Sequence, residues 1–227
     1  MIGQFKPGRH LRFGGLVAAL LLMASCGATQ GDGNGRGADA GAGARANAGN
    51  TPSSDDARAI FAGGCFWCVE EAFDAVDGVT ATTSGYVGGT VADPSYQQVT
   101  AGGTGHAEAV EVRFDPARVS FEELLDVFWR NIDPTDAGGQ FCDRGDSYRS
   151  ELYFVNAEQE RLARASKAAL QADPQAPSPI VTEITRATRF WRAEGYHQDY
   201  HQKNPVRYRF YKTSCGRSAR LDEVWDS

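Results

Sequence analysis

Two cysteines three positions apart, Cys65 and Cys68, are the residues of this chain whose type and spacing best suit chemistry. They follow two glycines that end a short apolar run, and an amphipathic pattern at helical spacing begins there, which predicts a strand, a tight turn and a helix. Cys65 would then lie in the first helical turn, where unpaired N–H groups and the positive end of the helix dipole favour an anion. We therefore expect Cys65 to ionise easily and to act as a thiolate nucleophile.

A single cysteine at such a place is often only a buried structural residue, and the second thiol is what favours chemistry. The spacing is that of a redox pair. However, a thioredoxin site would have Trp before the first cysteine and Gly-Pro between the two, whereas this chain has Phe66 and Trp67 between them. A structural zinc site usually shows two paired knuckles, and Cys142 and Cys215 stand alone. We therefore expect no metal.

A cysteine hydrolase is another alternative, because a histidine can activate a thiol. The candidates are His106, His197 and His201. His197 and His201 are four residues apart, but no Glu follows His197 as in a helical metalloprotease motif. Their aromatic surroundings instead favour packing or surface positions.

A carboxylate lies on the apolar face of a predicted strand over residues 106–114. Glu108, Val110, Val112 and Phe114 share one face by the two-residue period, with Glu108 at its end. Desolvation there would raise the pKa of the carboxyl and keep a proton available for a general acid. A surface salt bridge is the alternative, which the parity of the strand disfavours.

The composition excludes some classes of protein. The chain has 227 residues, a net charge of −6 and a pI of about 5.3, whereas a nucleic-acid binder would show a basic patch and a high pI. Five cysteines, an odd number, do not suggest a disulfide framework and are expected to have separate roles.

The first 25 residues are predicted to be a signal peptide. A positive region with Lys6, Arg9 and Arg12 precedes an apolar stretch, residues 13–23, that is too short to span a bilayer. Small residues then precede Cys26, as in a bacterial lipoprotein cleavage site, although ordinary secretion with cleavage nearby is the alternative. We expect an exported protein of the periplasm or cell envelope, lipid-anchored at Cys26.

Residues 26–57 are predicted to be a flexible Gly/Ala-rich linker, because they hold too little apolar surface to offset the entropy of ordering. Residues 58–227 form the predicted catalytic domain. Strands are expected at 58–62, 79–87, 106–114, 152–155 and 180–184, and helices at 65–76, 120–131, 156–171 and within 191–201. This order predicts an α/β two-layer sandwich with a mixed, largely antiparallel sheet and a ferredoxin-like β-α-β-β-α-β core.

Five separated motifs stand out along residues 58–227: Gly63-Gly64-Cys65-Phe66-Trp67, Ser84-Gly85-Tyr86, Gly105-His106-Ala107-Glu108-Ala109-Val110, Asp143 with Tyr148-Arg149-Ser150, and Tyr196-His197-Gln198-Asp199-Tyr200. Together they resemble the peptide methionine sulfoxide reductase A family, and the resemblance covers residues 58–227. The oxidation chemistry of cysteine and methionine makes such a reaction intelligible, because a thiolate can reduce a sulfoxide and be left as a sulfenic acid. The resemblance implies an oxidoreductase that reduces methionine S-sulfoxide, in proteins and free, and so repairs oxidative damage.

The resemblance also implies roles for single residues. Cys65 would attack the sulfoxide, Phe66 and Trp67 would receive the methyl group, and Glu108, Tyr86 and Tyr148 would hold the oxygen, with Asp143 nearby. No cofactor is implied, because electrons would come from thioredoxin or a related dithiol protein. We expect a monomer that binds no nucleic acid and meets the membrane only through its lipid anchor.

The cysteine that resolves the sulfenic acid is open at this point. Many family members have Gly in place of Cys68 and resolve with a C-terminal cysteine, whereas this chain has both Cys68 and Cys215. Two routes are open: Cys68 resolves alone, or Cys68 reacts first and passes the disulfide to Cys215. We favour the relay, which predicts a Cys68–Cys215 bond and leaves Cys142 as a bystander.

A function without catalysis is the remaining alternative. The chain could be a module that recognises oxidised methionine, or a structural lipoprotein. Neither would need two thiols beside the pocket, and this favours the enzyme.

Overall fold

A six-stranded sheet forms the centre of the protein, for which the computed structural model describes residues 57–226. The strands are β1 (Arg58–Gly63), β2 (Val79–Val87), β3 (Ala107–Phe114), β4 (Gly139–Gln140), β5 (Asp143–Arg144), β6 (Ser150–Phe154), β7 (Glu183–Arg186) and β8 (Trp191–Arg192). The sheet runs in the order β7-β6-β1-β3-β2-β8, while β4 and β5 form a separate hairpin. All neighbours in the large sheet are antiparallel except β6 and β7.

The helices are α1 (Phe66–Asp74), α2 (Tyr96–Ala101), α3 (Phe121–Arg130), α4 (Ala157–Ala172), α5 (Tyr200–Lys203), α6 (Pro205–Ser214) and α7 (Arg217–Trp225). Serine begins both α2 and α3 with a capping box, in which the side chain and backbone of the serine bond reciprocally to a Gln or Glu three residues later. Among residues 57–226, none of the helices combines the length and the apolar character needed to cross a bilayer.

The predicted mixed α/β fold is confirmed. The chain order β1-α1-β2-β3-α3-β6 places four strands in the spatial order β6-β1-β3-β2, which is the predicted ferredoxin-like arrangement. One sheet face packs against α1 and α3, where the ring of Phe61 stacks on Phe73 at 4.5 Å and on Phe128 at 5.5 Å. The period of two in β3 puts Glu108 on this helix-covered face, beside the helix that carries the two thiols.

Four segments differ from the sequence prediction, and the first of them is the last predicted strand, which lies at Glu183–Arg186 instead of 180–184. The stretch predicted as a loop, 88–105, contains α2, and 191–201 holds the short strand β8 and only the first residues of α5. The tail after residue 203, for which the sequence predicts no regular element, forms α6 and α7. These two helices are polar, and their sequences show little amphipathic pattern. The buried side chain of Arg217 anchors them by donating hydrogen bonds to the backbone carbonyl oxygens of Asn131 at 2.5 Å and Gly63 at 3.4 Å. Tertiary contacts rather than local pattern therefore determine this region.

The predicted signal peptide, Cys26 and the predicted linker up to residue 56 lie outside the described residues. The first strand, β1, begins at Arg58.

Candidate active site

The turn between β1 and α1 places both thiols under the surface. Gly64 has a φ of +81°, and a Cβ there would lie 2.5 Å from Cβ of Gln140, so both the conformation and the packing require glycine. Cys65 is the N-cap of α1, and its carbonyl oxygen accepts from the N–H of Cys68 at 3.0 Å and of Val69 at 3.3 Å. The predicted strand, tight turn and helix are all present. Cys65 and Cys68 are 6% and 4% exposed.

The two thiols influence each other's ionisation. Burial raises the pKa of Cys65 well above its ordinary value, and its hydrogen bond to Cys68 acts in the same direction. That hydrogen bond, together with the positive charge of Arg217, lowers the pKa of Cys68 to about 7 despite burial. The expectation that Cys65 ionises easily is therefore wrong. In this pair Cys65 holds the proton and donates it toward Cys68.

Glu108 is buried and neutral at neutral pH. Its side chain is 1% exposed, and Oε2 accepts from the N–H of Phe66 at 3.1 Å. Loss of water on burial is the main cause that raises the pKa of Glu108 to about 8, and the nearby charge of Asp143 contributes. This is the raised pKa that its position on the apolar strand face predicts, and it leaves a proton available for transfer.

A small cavity of about 50 Å³ connects these groups. Its walls are formed by Cys65, Phe66, Trp67, Tyr96, Glu108, Asp143, Tyr148 and Tyr211. Six of these residues were singled out from the sequence, and the fold brings them together from α1, β3 and the segment 143–148. Tyr96 and Tyr211 were not singled out.

Tyr86 does not line the cavity. Its side chain is fully buried, its ring lies 6.0 Å from that of Phe66, and its hydroxyl donates to Oε2 of Glu194 at 2.8 Å. The other oxygen of Glu194 accepts from the N–H of Tyr96 at 2.9 Å. Tyr96 thus occupies the position by the cavity that the sequence prediction assigns to Tyr86. The sequence does contain a signal for this role of Tyr96, namely the capping box directly before it. A capping box marks the start of a helix, and the helix fixes the position of this tyrosine.

Tyr211 and Tyr208 bring α6 against the thiols. The hydroxyl of Tyr211 donates to Oδ2 of Asp143 at 2.5 Å and lies within hydrogen-bonding reach of Cys65. The hydroxyl of Tyr208 donates to Oε2 of Glu71 at 2.6 Å and lies within reach of Cys68. The two tyrosines are three residues apart on one helix face, and Pro205 at the helix start was a usable signal for this helix.

Trp67 is held by the segment that supplies the last of the five motifs. The Trp67 ring stacks on Tyr200, with ring centroids 3.7 Å apart, and its Nε1 donates to Nδ1 of His197 at 3.1 Å. Burial lowers the pKa of His197, which keeps the imidazole neutral and able to accept this bond. The motif therefore fixes one apolar wall of the cavity.

The histidines of the described region have partners other than Cys65. Nδ1 of His197 accepts from Trp67, His106 bonds to the backbone N–H of Gly89 at 3.2 Å, and Nε2 of His201 lies 3.4 Å from Asp74. Among residues 57–226 the cavity wall contains no histidine. This arrangement disfavours the cysteine hydrolase.

A disulfide joins Cys142 to Cys215, which are 73 residues apart in the chain, with Cα atoms 4.9 Å apart. The expectation that Cys142 is a bystander is therefore wrong, and Cys215 is bonded to Cys142 rather than to Cys68. The pairing could not be read from spacing, because it depends on how α6 packs on the β4–β5 hairpin. Within the described residues, Cys65 and Cys68 are the free thiols. Cys142, Asp143 and Cys215 cluster within 4.8 Å, but bonded sulfurs offer no thiolate to a metal.

Comparison with known proteins decides the family. The family model described as peptide methionine sulfoxide reductase matches residues 57–227. A peptide methionine sulfoxide reductase MsrA of Listeria innocua is 49% identical over 168 residues, which cover 74% of this chain and 95% of the relative. The chain belongs to the peptide methionine sulfoxide reductase family. A second relative, peptide methionine sulfoxide reductase MsrA 2 of Rhizobium meliloti, is 50% identical over 173 residues and matches 76% of this chain and 85% of its own length.

Solved structures agree with this assignment. The reduced form of Mxr1 from Saccharomyces cerevisiae has a TM-score of 0.63 at 32% identity and matches 66% of this chain and 86% of its own. Methionine sulfoxide reductase A of Corynebacterium diphtheriae has a TM-score of 0.59 at 32% identity. The match covers 66% of this chain and 75% of the other chain. The family recognised from five motifs, its fold and its oxidoreductase class are thus confirmed.

Proposed function

We propose that this chain reduces methionine S-sulfoxide, in proteins and as the free amino acid, to methionine at the cavity around Cys65. The observation that carries this proposal is that a thiol and a neutral carboxyl, Cys65 and Glu108, line one small buried cavity. A sulfoxide sulfur is a poor electrophile until its oxygen is protonated, so the reaction needs both a nucleophile and an acid.

The first step uses three ionisable groups. Cys65 passes its proton to the Cys68 thiolate, and its sulfur then attacks the sulfoxide sulfur while Glu108 gives its proton to the oxygen. The hydroxyl then moves to the Cys65 sulfur as the new S–S bond breaks, methionine leaves with that electron pair, and Cys65 becomes a sulfenic acid. One negative charge is carried through this step, from the Cys68 thiolate at its start to the Glu108 carboxylate at its end. Glu108 then regains a proton from solvent.

The walls of the cavity suit the two ends of the substrate. The oxygen can accept hydrogen bonds from the hydroxyls of Tyr96 and Tyr148, while the hydroxyl of Tyr211 donates its proton to Asp143. Burial raises the pKa of Tyr96 to about 12 and also that of Tyr148, so these phenols keep the protons that they donate. Phe66 and Trp67 offer apolar surface to the S-methyl group.

The second half of the cycle restores the thiols. The thiol of Cys68 condenses with the sulfenic acid, water leaves, and a Cys65–Cys68 disulfide forms. A thioredoxin-like protein supplies two electrons by thiol–disulfide exchange, and no bound cofactor takes part. Direct condensation is supported by the hydrogen bond between the two thiols.

The cellular setting is part of the same proposal. The chain is exported, is lipid-anchored at Cys26 in the cell envelope, and acts there as a monomer on oxidised proteins and free methionine sulfoxide. The positive region, the short apolar stretch and the small residues before Cys26 support it.

The experiment is an assay of each sulfoxide epimer separately with dithiothreitol as the reductant. We expect the S epimer to be converted to methionine and the R epimer to be left, as the resemblance to the family implies. Equal use of both epimers, or of neither, would refute the proposal.

A further inference from the structure

A surface groove of about 350 Å³ lies next to the catalytic cavity and shares two walls with it. Trp67 and Tyr96 line both the cavity and the groove. The other residues of the groove are Tyr196, His197, Tyr200, Asn204 and Arg207. The cavity itself measures about 50 Å³, which is room for the sulfoxide end of a side chain and not for a polypeptide. When an oxidised methionine of a protein fills the cavity, its neighbouring residues therefore meet the groove.

The groove leads away from the cavity along α5 and the start of α6. The ring of Tyr200 stacks on the cavity wall formed by Trp67, with ring centroids 3.7 Å apart. Asn204 lies at the junction of α5 and α6, and Arg207 lies in the first turn of α6. The amide of Asn204 can both donate to and accept from a peptide backbone. The groove thus offers an aromatic surface, an amide and a cation in succession.

Exposed apolar side chains are concentrated around this groove. Among residues 57–226, the large apolar side chains that are exposed are Tyr196 at 60%, Val206 at 82% and Phe210 at 76%. Tyr196 lines the groove, Val206 directly precedes Arg207, and Phe210 follows Arg207 by three residues on the same helix. Scattered exposed apolar residues are ordinary, whereas apolar surface that is gathered in one place and bordered by polar groups marks an interaction site.

The groove is positively charged. Arg207 is exposed, and it forms no ion pair with a carboxylate of residues 57–226. Residues 200–220 contain several Lys and Arg but no Asp or Glu, although the whole chain has a net charge of −6. The carboxylate of Glu194 nearby already accepts from the hydroxyl of Tyr86 and the N–H of Tyr96. Arg207 is therefore available to pair with an acidic group of a bound molecule.

We propose, on the basis of the function above, that this groove binds the polypeptide segment next to an oxidised methionine, and that Arg207 favours segments with an Asp or Glu close to it. Asn204 bonds to the backbone of the segment, while Tyr196 and Tyr200 pack against a neighbouring apolar side chain. Free methionine sulfoxide occupies the cavity alone. The groove therefore acts on protein substrates and selects among them by charge.

The test compares peptides with the free amino acid, with dithiothreitol as the reductant. Blocked pentapeptides carry methionine S-sulfoxide at the centre, with Asp, Asn or Lys at one flanking position and alanine at the others, and each flanking position is tried in turn. For the wild type, kcat/KM for the best-placed Asp peptide should exceed that for the matching Lys peptide by about fivefold, the size expected of an exposed ion pair. Free methionine S-sulfoxide supplies the reference rate.

Arg207→Glu should reverse this preference, so that the Lys peptide becomes the better substrate. Its kcat/KM for free methionine S-sulfoxide should match the wild type, whereas a misfolded variant would lose activity on the free amino acid as well. Arg209→Glu is the matched control, because this exposed residue of the same helix undergoes the same change of charge but does not line the groove. It should keep the preference for Asp.

Three results would overturn this inference. They are equal kcat/KM for Asp and Lys peptides at every position in the wild type, a preference for Asp that persists in Arg207→Glu, and an equal loss of preference in Arg209→Glu. A defect of Arg207→Glu that appears only when thioredoxin replaces dithiothreitol would also overturn it, because the groove would then serve the reductant. If the wild type converted neither free nor peptide methionine S-sulfoxide, the proposed function itself would fail.

Discussion

At the scale of single residues, the chemistry of the cavity depends on which groups hold protons. Strand parity was enough to predict a buried Glu108, because a period of two decides which face of a strand meets the core. The ionisation of Cys65 could not be predicted in the same way. A helix start favours a thiolate, but burial and a neighbouring thiol outweigh it, and both depend on packing around α1.

These proton positions predict a bell-shaped dependence of single-turnover rate on pH. The rate should rise as the Cys65–Cys68 pair loses a proton near pH 7 and fall as Glu108 loses its own near pH 8. Glu108→Gln should lower the rate by about a hundredfold or more and abolish the fall at high pH, because its amide cannot transfer a proton. Stopped-flow measurement from about pH 5 to about pH 10 checks both effects.

Glu111→Gln is the matched control for this variant. Glu111 lies on the opposite face of the same strand, away from the cavity, and forms a salt bridge with Arg58 at 2.8 Å. The single-turnover rate of the Glu111→Gln variant should therefore stay near that of the wild type. Wild-type rates in Glu108→Gln across the pH range would show that the oxygen receives its proton elsewhere.

At the scale of elements, the strands and long helices followed from their patterns, whereas the elements that complete the site did not. The bounds of β2 agree with the prediction residue for residue, since it is rich in β-formers and bounded by glycines. Tyr96 and Tyr211 lie on α2 and α6, a six-residue helix and a polar one, whose positions are decided by contacts such as that of Glu194 with Tyr96. Local sequence carries little information on such contacts.

The contact between α1 and the residue before α5 predicts a change in stability with pH. Glu70 of α1 is fully buried, and its Oε2 accepts from the N–H of Asp199 at 2.9 Å. Burial raises the pKa of Glu70 to about 7, so the folded state favours the neutral form, and stability that is full below about pH 4 is lost as pH rises through 7. Glu70→Gln keeps the acceptor and should be more stable than wild type at about pH 9 by on the order of 2 kcal/mol, but not at about pH 5.

Urea unfolding at the two pH values measures this difference. Glu183→Gln, at an exposed position on β7, is the control and should track the wild type at both. If the stability gain of Glu70→Gln were the same at both pH values, ionisation of Glu70 would not be its cause.

At the scale of the whole molecule, residues 57–226 contain all the groups to which the proposed cycle assigns a role. The two-layer core was predictable from the order of strands and helices, but the disulfide across 73 residues was not, because pairing depends on which segments meet in space. Under the proposed function, the separate role of the residues before the domain is to hold it in the cell envelope.

That separation predicts that location and activity can be changed independently. Cys26→Ser should remove incorporation of radiolabelled palmitate and release the protein from the membrane fraction, while the rate per molecule with dithiothreitol stays the same. Labelling of the variant at wild-type level would contradict the lipid anchor.

The central claim is that the sulfur of Cys65 takes the oxygen from the substrate. The most direct test uses a chain in which Cys68, Cys142 and Cys215 are replaced by serine, so that no other thiol of the described domain can resolve the product. After reduction, one turnover with methionine S-sulfoxide in the presence of a carbon nucleophile that traps sulfenic acids is followed by peptide mass spectrometry. We predict one methionine per chain and one adduct, on Cys65. Methionine formed with no adduct at Cys65, or equal turnover when Cys65 is also replaced by serine, would contradict the account.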